Sequence, residues 1–135
     1  MFKQKTLLRI AAFLTLFTAA GHTAGTFMPI PTEQVGLIAA YRTMAETMIP
    51  MPIGSPQSIA DVFFGNNLVT SLFLLIAGLH LIFAFPERRS LLLLGTGLGA
   101  IALISAVYFF PLPAICTGLA SVLTIAAARQ TDRTA

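Results

Sequence analysis

His22 and His80 are the two histidines of the chain, and each lies inside a long apolar stretch. An imidazole can carry a proton or ligate a metal ion near neutral pH. Thr23 follows His22 directly. Asn66, Asn67, Thr70 and Ser71 place two amides and two hydroxyls within six residues of a second apolar stretch. Such groups are costly in hydrocarbon unless they are hydrogen-bonded, and an ionisable side chain there is a functional hypothesis by default. Two kinds of site are therefore open. One is a metal or haem centre shared by the histidines. The other is a polar pocket lined by His22, Thr23, Asn66, Asn67, Thr70 and Ser71. Thiol redox chemistry is not indicated. The single cysteine, Cys116, excludes an intramolecular disulfide and a Cys-x-x-Cys pair, and a small apolar thiol in a span is ordinary packing.

The elements that must position these groups are drawn by hydropathy and charge. Of 135 residues, 56% are hydrophobic and only 10% charged, well below the charge of an ordinary soluble domain. A helix needs about 20 apolar residues to cross about 30 Å of hydrocarbon. Four stretches come near that length: about 10–28, 62–85, 91–110 and 112–128. Lys3, Lys5 and Arg9 precede the first, Arg88 and Arg89 join the second to the third, and Arg129 and Arg133 follow the fourth. Arg42 alone lies in the other compartment, with Glu33, Glu46 and Asp61, so the balance is +5 on one side and −2 on the other. The positive-inside rule then puts both termini in the cytoplasm. The expected fold is all-α: an integral four-helix membrane bundle, a single domain of the cell (inner) membrane. The lipid bilayer is the partner these cations meet, at roughly 1 kcal/mol each near anionic headgroups; nucleic acid is not. A rival reading makes Lys3, Lys5 and the run 10–20 a secretory signal, with Thr18-Ala19-Ala20 as the cleavage site. The apolar run continues past that site, which favours retention.

Depth separates the two histidines. At about 1.5 Å per residue, His22 lies roughly 18 Å above the inner boundary and His80 only about 8 Å above it. Zn–N bonds are about 2 Å long, and no further Cys, Asp or Glu stands at ligand spacing, so no metal site and no resident cofactor is expected. His22 instead matches the level of Thr70 and Ser71, with Asn66 and Asn67 one turn higher. The simplest expectation is interhelical hydrogen bonding between His22, Thr23 and the 66–71 segment. The functional alternative is a pocket open to the outer side. His80, near the inner interface, is expected to reach headgroups.

The outer loop, 29–61, carries its own pattern. Pro29 and Pro31 end the first helix, and Thr32 with Glu33 suits a helix start. Leu37, Tyr41, Met44 and Met48 recur at helical spacing, which predicts a short extracytoplasmic amphipathic helix over 33–49. It should lid the outer ends of the spans or lie in the interface. Ser58 and Asp61 match a capping box at the start of the second span, a structural role that competes with any functional one for Asp61. Gly95 and Gly99, extended by Ala102 and Ala106, and Ala114 with Gly118 form small-residue stripes that permit close helix contact. The partner of such a stripe, a neighbouring helix or a second copy of the chain, is not specified by the motif.

Gly21-His22-Thr23-Ala24-Gly25 at the end of the first span resembles a motif of the GHT-type putative membrane protein family, small four-helix bacterial proteins. Asp61-Val62-Phe63-Phe64-Gly65 and Phe109-Phe110-Pro111-Leu112-Pro113 resemble that family's openings of the second and fourth spans. The chain departs from the pattern at Asn66 and Asn67, which follow Gly65. The resemblance implies a four-helix bundle without an established activity. In size and layout the chain is also similar to DoxX-like proteins. Three functions follow as expectations: a non-catalytic bundle acting as an accessory or lipid-associated subunit, with a membrane protein or a second copy as partner; a redox or quinone-linked protein; and a small proton-coupled transporter. Paired cysteines and clustered histidines are missing for the second, and an embedded carboxylate in the first span is missing for the third.

Overall fold

In a computed structural model that describes residues 3–83, 87–108 and 111–131, helices and one short hairpin follow in order. They are α1 (Gln4–Phe27), α2 (Val35–Glu46), β1 (Met48–Ile49), β2 (Gln57–Ser58), α3 (Ile59–Phe83), α4 (Arg88–Tyr108) and α5 (Pro111–Thr131). Four of these helices, α1, α3, α4 and α5, are long and apolar enough to cross a membrane. Each overlaps one of the stretches picked out by hydropathy. The boundaries differ where charge was taken as an end. α1 begins at Gln4 rather than at Ile10, with the Lys3 carbonyl accepting from the N–H groups of Thr6 and Leu7. Lys5 and Arg9 stay exposed while Leu7 and Leu8 are buried, so one helix carries a wet face and a packed face past the apolar limit. α5 opens on Pro111, whose missing N–H is harmless at a first helical position. Residues 84–86 and 109–110, at the ends of the second and third expected spans, lie outside the described residues.

The chain divides into two compact units, Met1–Ala20 with Leu72–Ala135, and Gly21–Ser71. In the first, segments of all four long helices share a core of leucine and alanine: Leu7, Ala11 and Ala12 from α1, Leu74 and Leu81 from α3, Leu98 from α4, Ala120 and Ala127 from α5. So much alanine brings backbones close. Ser121 Oγ donates to the Gly95 carbonyl at 2.6 Å, joining α5 to α4, and Gln4 Nε2 donates to the Ala127 carbonyl at 3.1 Å, joining α1 to α5. The small-residue stripe of α4 therefore meets α5. A Cβ at Gly95 would stand 2.7 Å from Ile125 Cγ1, one at Gly99 3.0 Å from Ser121 Oγ, and one at Gly118 3.6 Å from the Ala102 Cβ. Ala106 is exposed. Gly78 of α3 makes an equally tight approach to Leu16 of α1, 2.6 Å from its Cγ.

Three buried threonine hydroxyls of this core are satisfied within their own helices. Thr15, Thr117 and Thr124 are fully buried and donate to the carbonyls of Ala11, Pro113 and Ala120 four residues back, the usual route for a threonine in an apolar helix. Cys116 is a free, buried thiol on α5.

In the second unit, the short helix is shorter than its apolar period suggests. α2 stops at Glu46 because Thr47 turns extended, with ψ of 113°. Met48 and Ile49 then pair antiparallel with Ser58 and Gln57, and the Thr47 carbonyl accepts from the Ile59 N–H. At the other end Thr32 is not the cap: Gln34 holds that position without a side-chain bond. Thr32 Oγ1 donates to Glu33 Oε2 at 3.3 Å, and both precede the helix. The loop 50–56 holds Pro50, Pro52 and Pro56, and Gly54 at φ 94° occupies backbone space that other residues rarely adopt.

Two glycines two positions apart on α4 give a direct test of the seam. Gly97 has open space where a Cβ would go, so Gly97→Ala is expected to be neutral or stabilising by up to about 1 kcal/mol through helix propensity. Gly95→Ala is expected to destabilise by about 1–3 kcal/mol through overpacking. Denaturation of the detergent-solubilised protein checks the pair; equal effects would remove α5 as the neighbour of Gly95.

Candidate functional site

Within Gly21–Ser71, the first turn of α3 is locked by Ser58 and Asp61. The Ser58 hydroxyl accepts from the Asp61 N–H at 3.0 Å and donates to Asp61 Oδ2 at 2.7 Å. A backbone donor is thereby capped and the carboxylate sits at the positive end of the helix. Ser58 is buried. The carboxylate of Asp61 is thus engaged in holding the helix start.

The end of α1 and the start of α3 meet through Phe27 and Phe64, whose rings lie edge to face with centroids 5.6 Å apart. This contact sets a reference level. At about 1.5 Å per residue, His22 lies roughly 7.5 Å along α1 from Phe27, and Ser71 lies roughly 10.5 Å along α3 from Phe64. Counted by rise alone, the two positions differ by about 3 Å along their helices. His22 is half-buried and Ser71 is buried. The Nε2 of His22 and the Oγ of Ser71 are both shielded without a hydrogen-bond partner from the protein. Buried polar groups are paired in the great majority of cases, so each exception needs a cause.

The other four residues of the expected pocket divide. Thr70 donates to the Asn66 carbonyl at 3.0 Å, so its hydroxyl is satisfied along its own helix. Asn66 is exposed rather than turned inward, whereas Asn67 and Thr23 are half-buried. Thr26, one turn beyond His22, donates to the His22 carbonyl at 2.9 Å. The interhelical bonds expected of His22 and Ser71 are not made at Nε2 and Oγ. Backbone-directed threonines account for the difference, since a carbonyl four residues back is always within reach and a neighbouring helix is not. Around Gly21 and Gly25 there is open space, so neither glycine of the Gly-His-Thr stretch is required by a close approach.

A histidine nitrogen and a serine hydroxyl form a flexible pair. The nitrogen donates or accepts according to tautomer, and the hydroxyl does both. Each atom on its own is satisfied by a small group that both donates and accepts, such as water or an alcohol. Among the described residues, no three His, Cys, Asp or Glu side chains gather as a metal could require. His80 stands in the other unit, where its Nε2 shares a 3.0 Å hydrogen bond with Ser90 Oγ across the α3–α4 connection. It is exposed, but its ring is held by the protein rather than left to reach headgroups alone.

Compared with known proteins, the chain matches no protein-family model, no curated protein and no solved structure.

Two substitutions probe these roles. Ser58→Ala removes the cap and is expected to destabilise by about 0.5–2 kcal/mol, read as a lowered thermal midpoint in detergent. Ser71→Ala is expected to leave stability unchanged or raise it by up to about 1–3 kcal/mol, since it deletes an unpaired buried hydroxyl. A clear loss at Ser71 would instead show that Oγ holds a polar partner in the membrane-embedded protein.

Proposed function

We propose that the chain is a multi-pass protein of the cell inner membrane. Its termini are cytoplasmic, α2 lies on the outer side, and its role is non-catalytic, that of an accessory or lipid-associated subunit. The supporting observation is the outward surface of the long helices. Leu93, Leu103 and Val107 of α4 are each more than two-thirds exposed, and Phe13, Val69 and Ile76 of α1 and α3 are each more than half exposed. Contiguous apolar surface on this scale marks contact with lipid or with another protein. The one-sided cations support the orientation. The resemblance to four-helix GHT-type membrane proteins agrees with a bundle whose polar groups serve register rather than turnover.

The unpartnered His22 Nε2 and Ser71 Oγ favour a second reading, a proton-coupled transporter with a small polar pocket near the outer side. Asp61, held by Ser58, is not its proton carrier. The redox reading, similar in layout to DoxX-like proteins, has no comparable observation in its favour.

Orientation is read by single cysteines in a Cys116→Ala background. Ser55→Cys is expected to react with an impermeant maleimide on intact cells, and Lys3→Cys and Arg129→Cys only after permeabilisation. The reverse pattern would overturn the orientation, and absence of the Lys3 site from the mature protein would show a cleaved leader. Native mass spectrometry of gently extracted protein is expected to retain lipid or a stoichiometric membrane partner. Proton flux into sealed vesicles that is lost in His22→Ala but kept in Asp61→Asn would establish the transporter instead.

A further inference from the structure

None of the residues of α2 is buried, although its pattern is that of a packed helix. At about 100° per residue, Leu37, Tyr41 and Met44 fall on one face and Arg42 and Glu46 roughly opposite. The polar face is complete in itself: Arg42 Nε donates to Glu46 Oε1 at 2.8 Å, with both side chains largely exposed. The apolar face is not complete. Leu37 is 50% and Tyr41 43% exposed. The hairpin that follows shows the same excess, since its 50–56 loop carries Ile53 at 93% exposure. Three prolines and the left-handed Gly54 restrict that loop, so the exposed isoleucine is displayed by a constrained turn. β2 runs directly into α3, whose first residue is Ile59, and α2 begins eight residues after α1 ends at Phe27. Both flanks are therefore tied to the ends of helices that are long and apolar enough to span a membrane. Those ends are apolar and exposed too, at Phe27, Met28 and Phe63.

We propose that α2 and the tip of the 50–56 loop form a second membrane-contact element, lying in the plane of the headgroup–acyl boundary with Leu37, Tyr41 and Ile53 turned into the lipid. The occupant of the apolar face is the bilayer itself. An amphipathic helix with a polar face of paired charges and an apolar face of large side chains is suited to that boundary. Because the charges of Arg42 and Glu46 pair with each other, the contact depends on apolar insertion and not on anionic headgroups. The proposal rests on the reading of α1, α3, α4 and α5 as membrane spans.

The chain contains no tryptophan, so one introduced indole reports its own surroundings. Leu37→Trp, Ile53→Trp, Thr43→Trp on the polar side of α2, and Leu103→Trp on α4 are each placed in the full chain and reconstituted into phosphatidylcholine nanodiscs. Lipids brominated near the glycerol end or near the methyl end of the acyl chain serve as quenchers. Leu37→Trp and Ile53→Trp are expected to show blue-shifted emission quenched most by the shallow bromines, Thr43→Trp water-like unquenched emission, and Leu103→Trp quenching by acyl-chain bromines. Water-like emission at both Leu37→Trp and Ile53→Trp would overturn the proposal, as would blue-shifted emission without quenching, which means a protein cover. If Leu103→Trp is quenched in those cases, the spans stand and only the interfacial element fails. If Leu103→Trp is not quenched either, the membrane-spanning reading falls with it.

Discussion

Close approach between helices is the constraint on which the larger unit depends. Ser121 reaches the Gly95 carbonyl at 2.6 Å only because α4 carries no side chain at positions 95 and 99 on the side that meets α5. Gly78 lets Leu16 approach in the same way. In hydrocarbon, burial of apolar surface does not drive helices together, so van der Waals contact and a few interhelical hydrogen bonds must hold them. Alanine-rich positions such as Ala11, Ala120 and Ala127, all fully buried, extend that contact along the helices. Many large apolar side chains beyond that core, Leu93, Leu103 and Val107 among them, are exposed.

The same constraint explains how polar groups are treated. Thr15, Thr117 and Thr124 are buried without penalty because each hydroxyl returns to a carbonyl of its own helix. Such bonds need no partner helix and survive small shifts in packing. Ser121, like Gln4, instead joins two helices. His22 and Ser71 are exceptions of another kind, with Nε2 and Oγ shielded and unpaired. The distal Nε2 of an imidazole lies beyond the reach of the threonine solution, so that atom of a histidine in a span must find its partner elsewhere.

Particular residues show which parts of this arrangement were legible. The Ser58–Asp61 pattern was readable because a cap is set by residues three apart in sequence. The stripe of Gly95 and Gly99 was readable as a close-contact surface, but not its partner. The end of α2 was misplaced: Met48 and Ile49 continue the apolar helical period, yet they pair with Ser58 and Gln57. That pairing depends on a return of the chain which periodicity does not register. Asn66 lies exposed while Ser71 is buried, because spacing fixes the angle between two residues but only packed neighbours fix which side of the helix faces inward. The hydroxyls of Thr15, Thr117 and Thr124 gave no signal in composition, because a threonine in an apolar run looks the same whether it faces a helix or lipid.

What the sequence by itself determined is the set of four apolar helices, their approximate limits and the placement of most cations beside their ends. These are sums along the chain, of transfer free energy and of charge, and a sum needs no knowledge of neighbours. What only the tertiary structure decided is rotation and pairing: that the glycines of α4 meet α5, that no residue of α2 is buried, and that His22 Nε2 and Ser71 Oγ are shielded without a hydrogen-bond partner. A turn of a helix by one residue moves a side chain by about 100°, from a neighbour to lipid. Only the packed neighbours choose among such positions.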